Sequence, residues 1–326
     1  MNNPFTEQNS LRTRLADPDA EVRRVAVLDL PYGDEDDYIE LLTAALADEA
    51  ASVRAEAAHA LEGIEEESVV AALVPMLKDP DVTVRQAVAH SLAELKESRW
   101  GSLLLGMVSD ADAGVQAAAL RALRALKVDA AFEPALRASA STELTVRKEA
   151  VGVLAYLRKP AALQTLMRIA TQDAEVDVRK VAVGALGYAE SANVEEVVPA
   201  LESALKDSAW LVREEAAHTL GKLKLKLKRS SAAGKLAEAM QDEYWQVRVA
   251  SARALGKIRA VEALHVLIEA LTHTVSNLRK EAAIALGELG DARALPSLEV
   301  AANDADPDVR KLSRIALGRI ASAQGA

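Results

Sequence analysis

Apolar residues recur with a helical period along nearly the whole chain. Ten valine or leucine residues each begin a run in which positions 0, 4, 8 and 11 are apolar or small, and these positions share one face of a helix. Successive runs start 31 to 35 residues apart. The pattern predicts ten amphipathic helices, whose runs start at Val22, Val53, Val84, Val115, Val146, Val178, Val212, Val247, Leu278 and Val309.

A second apolar pattern lies upstream of each of these helices. Val70, Leu73, Val74 and Leu77 are one example, and the pattern predicts a first helix in every repeat. Five residues before the valine stands an aspartate in eight repeats, where a carboxylate suits the N-terminus of the next helix. The aspartates are Asp17, Asp48, Asp79, Asp110, Asp173, Asp207, Asp242 and Asp304, and Ser141 and His273 replace them in the other two repeats.

These features predict an all-α fold, an α-solenoid (superhelix) of about ten helix-pair repeats with a dominant spacing of 31 residues. An isolated helix pair cannot bury its apolar face, so neighbouring repeats must stack. We expect a single domain over residues 1–326, with repeats at approximately 5–35, 36–66, 67–97, 98–128, 129–159, 160–192, 193–227, 228–260, 261–291 and 292–322.

The repeat resembles the HEAT repeat family, and in particular the short bacterial repeats also found in phycobilisome lyases. The resemblance covers about residues 5–322 and rests on the turn aspartate, the Val-Arg pair, a small residue and a leucine. It implies a ladder of aspartate and arginine between adjacent repeats, at Asp17, Arg23, Asp48, Arg54, Asp79, Arg85, Asp173, Arg179, Asp207, Arg213, Asp242, Arg248, Asp304 and Arg310. Because Gln116, Ser141 and His273 interrupt this pattern, we expect the ladder to be weakest at repeats 4, 5 and 9.

The longest spacings fall in repeats 6 to 8, where a basic segment and large aromatic residues occur. The basic residues are Lys222, Lys224, Lys226, Lys228 and Arg229. Their segment is interpreted as a frayed helix end leading into a longer loop, or as an electrostatic contact with an acidic partner or phosphate. Trp210 and Trp245 occupy the same position in adjacent repeats, beside Tyr244, and either pack in the turn or form a binding hot spot.

The resemblance implies that the second helices line a concave surface. Residues six positions after the starting valine face away from the apolar side, and five polar ones are candidates for binding a partner: His59, His90, Arg121, His218 and Arg253. Glu56 and Glu62 lie one helical turn from His59, which leaves a metal or acid–base role open. An ordinary polar surface is the favoured interpretation, and we predict no catalytic residue and no metal site.

Glycine occupies the same position in two central repeats, at Gly152 and Gly184, and a tyrosine follows each after four residues, at Tyr156 and Tyr188. A floor of small residues with tyrosine walls is suited to a partner's helix or loop. The same glycines are equally compatible with tight curvature of the array. The two tyrosines join the candidate partner-binding residues.

The sequence can be compared with two kinds of HEAT-like enzyme, one that binds iron and one that binds DNA. Deoxyhypusine hydroxylases carry His-Glu pairs directly after Val-Arg, whereas here the pairs read Ala55-Glu56 and Lys148-Glu149, so the iron-binding histidines are missing. HEAT-like DNA glycosylases require a basic groove, whereas basic and acidic residues are mixed on these second helices. Nucleic acid is therefore disfavoured as a partner.

Composition excludes further classes of functional site and indicates where the protein is located. The chain of 326 residues has no cysteine, so thiolate metal sites and cysteine nucleophiles are excluded, and its formal net charge is −10. No apolar stretch approaches the length of a membrane span, and residues 1–10 lack the features of a secretory signal, so we expect a cytoplasmic protein.

The sequence thus predicts a non-catalytic scaffold or assembly factor that binds a client protein in its concave groove, with no cofactor and no membrane contact. Two alternatives remain open. One is a lyase-like or chaperone protein that helps attach a prosthetic group to a client, which only the resemblance to bilin lyases suggests. The other is a HEAT-like protein that binds nucleic acid.

Overall fold

Helices follow one another in pairs throughout the part of the chain that the computed structural model describes, residues 11–33, 35–190, 193–223 and 231–324. The fold is all-α, an α-solenoid of helix pairs, and no strand occurs among these residues. By contacts, the chain divides into two units, Met1–Leu157 and Arg158–Ala326. The single continuous domain therefore stays a prediction, and each unit is described by itself.

The described residues of the first unit contain five helix pairs. Its first helices are α1 (Leu11–Leu15), α3 (Tyr38–Ala45), α5 (Glu67–Leu73), α7 (Gly101–Leu105) and α9 (Phe132–Ala138). Its second helices are α2 (Ala20–Asp29), α4 (Ala51–Ala60), α6 (Val82–Ala93), α8 (Ala113–Leu126) and α10 (Leu144–Leu157). Short 3-10 segments at Val74–Lys78 and Gly106–Ser109 extend two of the first helices.

The described residues of the second unit contain five further helix pairs. Its first helices are α11 (Leu163–Gln172), α13 (Val194–Ala204), α15 (Ala232–Ala239), α17 (Leu264–Ala270) and α19 (Leu295–Ala301). Its second helices are α12 (Val176–Leu186), α14 (Trp210–Leu223), α16 (Trp245–Ile258), α18 (Ser276–Leu289) and α20 (Pro307–Gln324). Each valine or leucine that starts a sequence run therefore lies in the first turn of a second helix.

The periodic apolar positions form the core between helices. Val84, Val146 and Val212 are fully buried, as are Leu123 and Leu255 eight residues into their runs. Burying one such side chain contributes roughly 1.5–3 kcal/mol, and truncating it to alanine costs about 2–5 kcal/mol because a cavity remains. Since the core is a row of these residues and not one central cluster, each repeat depends on its neighbours.

Second helices approach one another closely in the second unit. A Cβ atom added to Gly256 of α16 would lie 2.7 Å from the Cα of Ala285 in α18, nearer than packed atoms allow. Gly221 and Gly287 occupy the same position in α14 and α18, with corresponding distances of 3.1 and 3.0 Å. This position, nine residues after the starting valine or leucine, is therefore a helix–helix contact in these repeats.

Candidate partner-binding surface

One hydrogen bond recurs in the turn between the two helices of each repeat, from a backbone N–H to a side-chain acceptor. In all ten repeats the side chain five residues before the starting valine or leucine accepts the backbone N–H two residues further on, at 2.8–3.2 Å. Ser141 does so through its Oγ and His273 through its Nδ1. Serine and histidine therefore keep this part of the turn, although they lack the carboxylate charge.

Among the described contacts, five arginines each join the turn of their own repeat to the turn of the next repeat. Its Nε and Nη2 atoms bind both oxygens of the following aspartate at 2.6–2.9 Å, in the pairs Arg23–Asp48, Arg54–Asp79, Arg179–Asp207, Arg213–Asp242 and Arg279–Asp304. The Nη1 atom of each arginine also donates to the carbonyl oxygen six residues earlier, at 2.8–2.9 Å. One guanidinium thus fastens its own turn and the next one.

These pairs are mostly shielded from solvent. The arginine side chains are 8–14% exposed and the aspartates 5–14%. The bond from arginine, opposed by burial, lowers the pKa of Asp48, Asp79 and Asp304. For Asp207 and Asp242 burial acts to raise the pKa, but the arginine and backbone hydrogen bonds outweigh it and the pKa is lowered. All five carboxylates are therefore held in the charged form.

The remaining predicted ladder positions make other contacts. Arg85 and Arg310 donate to carbonyl groups of their own turns, and Gln116 does the same through Nε2. Asp110 pairs with Lys78 instead of an arginine. The Oδ1 atoms of Asp17 and Asp173 accept the backbone N–H groups of residues 19 and 175. Arg248 has a different environment, which is described below.

Several basic residues on the second helices pair with a glutamate of the next repeat. Arg24 binds Glu56 at 2.7 Å, and Arg253 binds Glu281 through two nitrogens at 2.7 and 3.1 Å. Arg121 and Arg124 share Glu149, at 2.9 and 3.2 Å. The mixture of charges in the sequence is therefore partly an internal network between repeats. It leaves fewer basic groups available to phosphates than the sequence suggests.

The three candidate histidines have two different environments. The rings of His59 and His90 meet edge to face, with centroids 6.2 Å apart, and His90 Nε2 lies 3.3 Å from Glu62. His218 is half-buried, and burial followed by the charge of Arg253 lowers its pKa. Among the described residues, no group of three histidine, aspartate or glutamate side chains is placed to hold a metal ion.

Two aromatic residues of repeats 7 and 8 stack on each other, and a third follows in the sequence. The rings of Trp210 and Tyr244 stack, with centroids 5.5 Å apart and planes 12° from parallel, and the guanidinium of Arg213 lies 5.7 Å from the Tyr244 centroid. Tyr244 is 40% exposed and its neighbour Trp245 is 38% exposed. We call Trp210, Tyr244 and Trp245 the aromatic turn cluster. It combines a fixed stack with exposed ring surface.

Each of the two predicted groove tyrosines lies under a cation. Lys127 Nζ is 5.4 Å from the ring of Tyr156 in the first unit, and the guanidinium of Arg158 is 4.3 Å from the ring of Tyr188 in the second. Both tyrosines remain more than 40% exposed. A cation over a ring face is an attractive arrangement of about 0.5–1 kcal/mol at exposed sites.

The associated glycines are covered by charged side chains. A Cβ atom at Gly152 would lie 3.0 Å from Nη1 of Arg124, and one at Gly184 would lie 2.9 Å from Oε1 of Glu215. Each glycine thus gives room to a side chain of an adjacent repeat. Of the predicted basic segment, Lys222 is exposed and lies 3.4 Å from Glu215, whereas Lys224, Lys226, Lys228 and Arg229 lie outside the described residues.

One inter-repeat contact had no signal in the sequence. Glu65 accepts the backbone N–H groups of Lys96 and Glu97 and the indole N–H of Trp100, each at 2.9 Å. Burial acts to raise the pKa of Glu65, but these hydrogen bonds outweigh it and the pKa is lowered. The third tryptophan is thus a buried structural residue, unlike the exposed Trp245. The contact spans up to 35 residues and is not periodic, so spacing could not reveal it.

Comparison with known proteins places these features in a family. A family model described as HEAT repeats matches residues 9–93, 39–124, 101–187, 165–233 and 233–318. Among curated proteins, none matches this chain. None of the helices in the described residues is long and apolar enough to cross a membrane.

Solved structures with a similar fold include designed and natural proteins. An engineered protein is 21% identical with a TM-score of 0.55, over 95% of this chain and 98% of its own. Kap95p bound to RanGDP is 16% identical with a TM-score of 0.65, over 95% of this chain and 49% of its own. Kap95 in complex with Nup1 is 16% identical with a TM-score of 0.66, over 98% and 51%. This chain thus spans about half the length of Kap95, and at these identities the likeness concerns the fold alone.

Proposed function

This chain belongs to the HEAT-repeat family, and we propose that it is a non-catalytic scaffold or assembly factor that binds a client protein through exposed aromatic and basic side chains of its turns and second helices. The observation that carries the proposal is the aromatic turn cluster. Tryptophan and tyrosine supply large contact area at low conformational cost and are enriched in binding hot spots. The stack between Trp210 and Tyr244 fixes one ring before any partner arrives.

The tyrosines of the central repeats also present exposed aromatic surface. Tyr156 and Tyr188 each present a ring with a cation beside it and more than 40% of the residue exposed. An exposed ring with a cation over its face suits a partner surface that offers both apolar and acidic groups. His59, His90, Arg121, His218 and Arg253 complete the proposed contact residues of the second helices.

The charge pairs on the second helices favour a protein over a nucleic acid. Arg24, Arg121 and Arg253 are already neutralised by glutamates of the next repeat. Binding to a phosphate backbone depends on many unpaired cations and falls steeply with salt. A protein partner needs only a few hot-spot residues, so a paired, mixed-charge surface is compatible with it. Kap95, which has a similar fold, forms complexes with RanGDP and with Nup1, which adds a precedent within the fold.

Affinity capture from the native cell, quantified by mass spectrometry, tests this function. We expect at least one protein to be captured by the wild type and depleted several-fold with the double variant Trp245→Ala/Tyr156→Ala. Tyr32→Ala is the matched control, because Tyr32 is 87% exposed and lies outside the proposed contact residues. Equal recovery of every captured protein by the wild type and the double variant would refute the proposal.

A further inference from the structure

Arg248 differs from every other residue at its position in the repeat. The nine others each donate from a side-chain nitrogen to the carbonyl oxygen six residues earlier. Within the described residues, Arg248 makes no such bond and no ion pair, and its Nε atom is buried without a hydrogen-bond partner. A buried donor without an acceptor costs about 1–3 kcal/mol, so an acceptor that reaches this nitrogen is favoured.

The cause lies in the next turn, where His273 replaces the aspartate. His273 Nδ1 accepts the N–H of Val275 at 3.0 Å, so in the neutral ring the proton resides on Nε2, which is then a donor. Burial, followed by the charges of Arg248 and Arg279, lowers the pKa of His273 and favours this neutral form. Arg248 therefore faces a residue that cannot neutralise it, and both side chains offer donors.

The five arginine–aspartate pairs described above show which group binds an arginine at this position of the repeat. There the arginine Nε and Nη2 atoms bind the two oxygens of one carboxylate at 2.6–2.9 Å. Arg248 has the same position in its repeat but no carboxylate opposite it. Asp242 lies near enough for its pKa to be lowered in part by the charge of Arg248, after burial and the bonds to Arg213 and Tyr244. A second negative charge nearby disfavours a dianion such as phosphate relative to a single carboxylate.

The surroundings are suited to a polypeptide. Trp245 lies one helical turn before Arg248, on the same side of α16, and is 38% exposed. Gln246 Oε1 is buried without a donor, so the same turn offers an unpaired acceptor as well as an unpaired donor. On the other side, His273 borders a groove of about 690 Å³ with Leu271 and Val300, which is 73% exposed.

We propose that Arg248 and His273 bind an aspartate or glutamate side chain of a partner protein, which supplies in trans the carboxylate that the repeat lacks. The partner segment lies along the turns, with apolar residues against Trp245 on one side and in the groove beside His273 on the other. The unneutralised charge of Arg248 is the complementary feature that selects an acidic segment. This inference rests on the proposed function, since its occupant is part of a client protein.

The first test follows the Arg248 Nε–H resonance by NMR while short poly-L-glutamate is added. Loss of one resonance in Arg248→Lys assigns it. We expect a saturable shift for Arg248 and little change for Arg310, which also has no following aspartate but donates to the carbonyl groups of Asp304 and Ala305. No shift of Arg248, or an equal shift of Arg310, would overturn the proposal. Equal displacement by inorganic phosphate would also overturn it.

The second test fills the site from within the chain. In His273→Asp the new carboxylate stands where Asp242 stands for Arg213, so it competes with the added peptide. We expect the apparent affinity for poly-L-glutamate to fall by about tenfold or more, as loss of a charge-assisted hydrogen bond implies. An unchanged titration would count against the site, provided that circular dichroism shows the variant to be folded.

The outcomes also separate this site from the general function. If the client is captured normally by Arg248→Lys and by His273→Asp but lost with Trp245→Ala/Tyr156→Ala, the scaffold role stands and the carboxylate site fails. If poly-L-glutamate binds at Arg248 but no client is captured, the carboxylate-binding site is supported and the scaffold role is refuted.

Discussion

Asp242→Asn tests how much one rung of the aspartate–arginine ladder stabilises the fold. Asp242 binds Arg213 at 2.6 and 2.9 Å, and the two side chains are only 9% and 11% exposed. Asparagine keeps one acceptor oxygen, which the N–H of Tyr244 also uses, but it loses the charge and the second acceptor. Arg213 keeps its bonds to the carbonyl groups of Asp207 and Ser208, and Glu243 lies 3.5 Å from its Nη2, but the carboxylate that binds Nε and Nη2 together is lost.

The expected loss follows from the burial of the pair. Removing one partner of a fully buried pair costs about 3–5 kcal/mol, whereas an exposed pair contributes about 0–1 kcal/mol. A pair with about a tenth of each side chain exposed lies between these limits, so we expect a loss of about 2 kcal/mol. For units of 150–250 residues this corresponds to a fall in Tm of about 4–8 °C.

Urea denaturation followed by circular dichroism measures the change in unfolding free energy. Because repeat arrays lose cooperativity, amide hydrogen exchange should locate the loss in α14 and α16. Arg293→Ala is the control, since Arg293 pairs with Asp291 while 67% exposed, and we expect no measurable change there. A loss below about 0.5 kcal/mol for Asp242→Asn, or one no larger than the control, would refute the reasoning.

Three further predictions concern other positions. His273→Asp should raise stability by about 1 kcal/mol in urea denaturation, because Arg248 Nε gains a partner; a loss of stability would contradict this. Because burial and Arg253 lower the pKa of His218 in the folded protein, stability should be fully present above the ordinary pKa of 6.5 and fall as the pH decreases below it; His218→Gln should weaken that dependence in thermal melts from pH 7 to 5. Gly256→Ala should lower the Tm despite the better helix propensity of alanine, since its Cβ would lie 2.7 Å from Ala285 Cα; an unchanged Tm would mean that α18 shifts freely.

Periodicity predicted the helices because the same burial requirement recurs in each repeat. Val212, Leu220 and their equivalents must face neighbouring helices, so their spacing alone places α14 and the other second helices. The direction of the ladder, from an arginine to the aspartate of the following repeat, depends on how repeats stack, and only the structure shows it.

Other features depend on contacts that leave no local pattern. Glu65 gains its role because distant backbone N–H groups and Trp100 converge on it. Gly256 has no side chain whose polarity could indicate burial, but α18 lies against it. The sequence also marked His273 as an interruption of the ladder. It could not show that the consequence falls on Arg248, whose Nε atom is left without a partner.

Site-specific photo-crosslinking in the native cell tests the proposed function most directly. Tyr244, which is stacked on Trp210 and 40% exposed, is replaced by the photoreactive residue benzoylphenylalanine, and Tyr32 is replaced in the same way as the exposed control. We predict a discrete crosslinked client protein from position 244 that is absent from position 32. If illumination gives the same products from both positions, or none from position 244, the claim that this surface holds a client is contradicted.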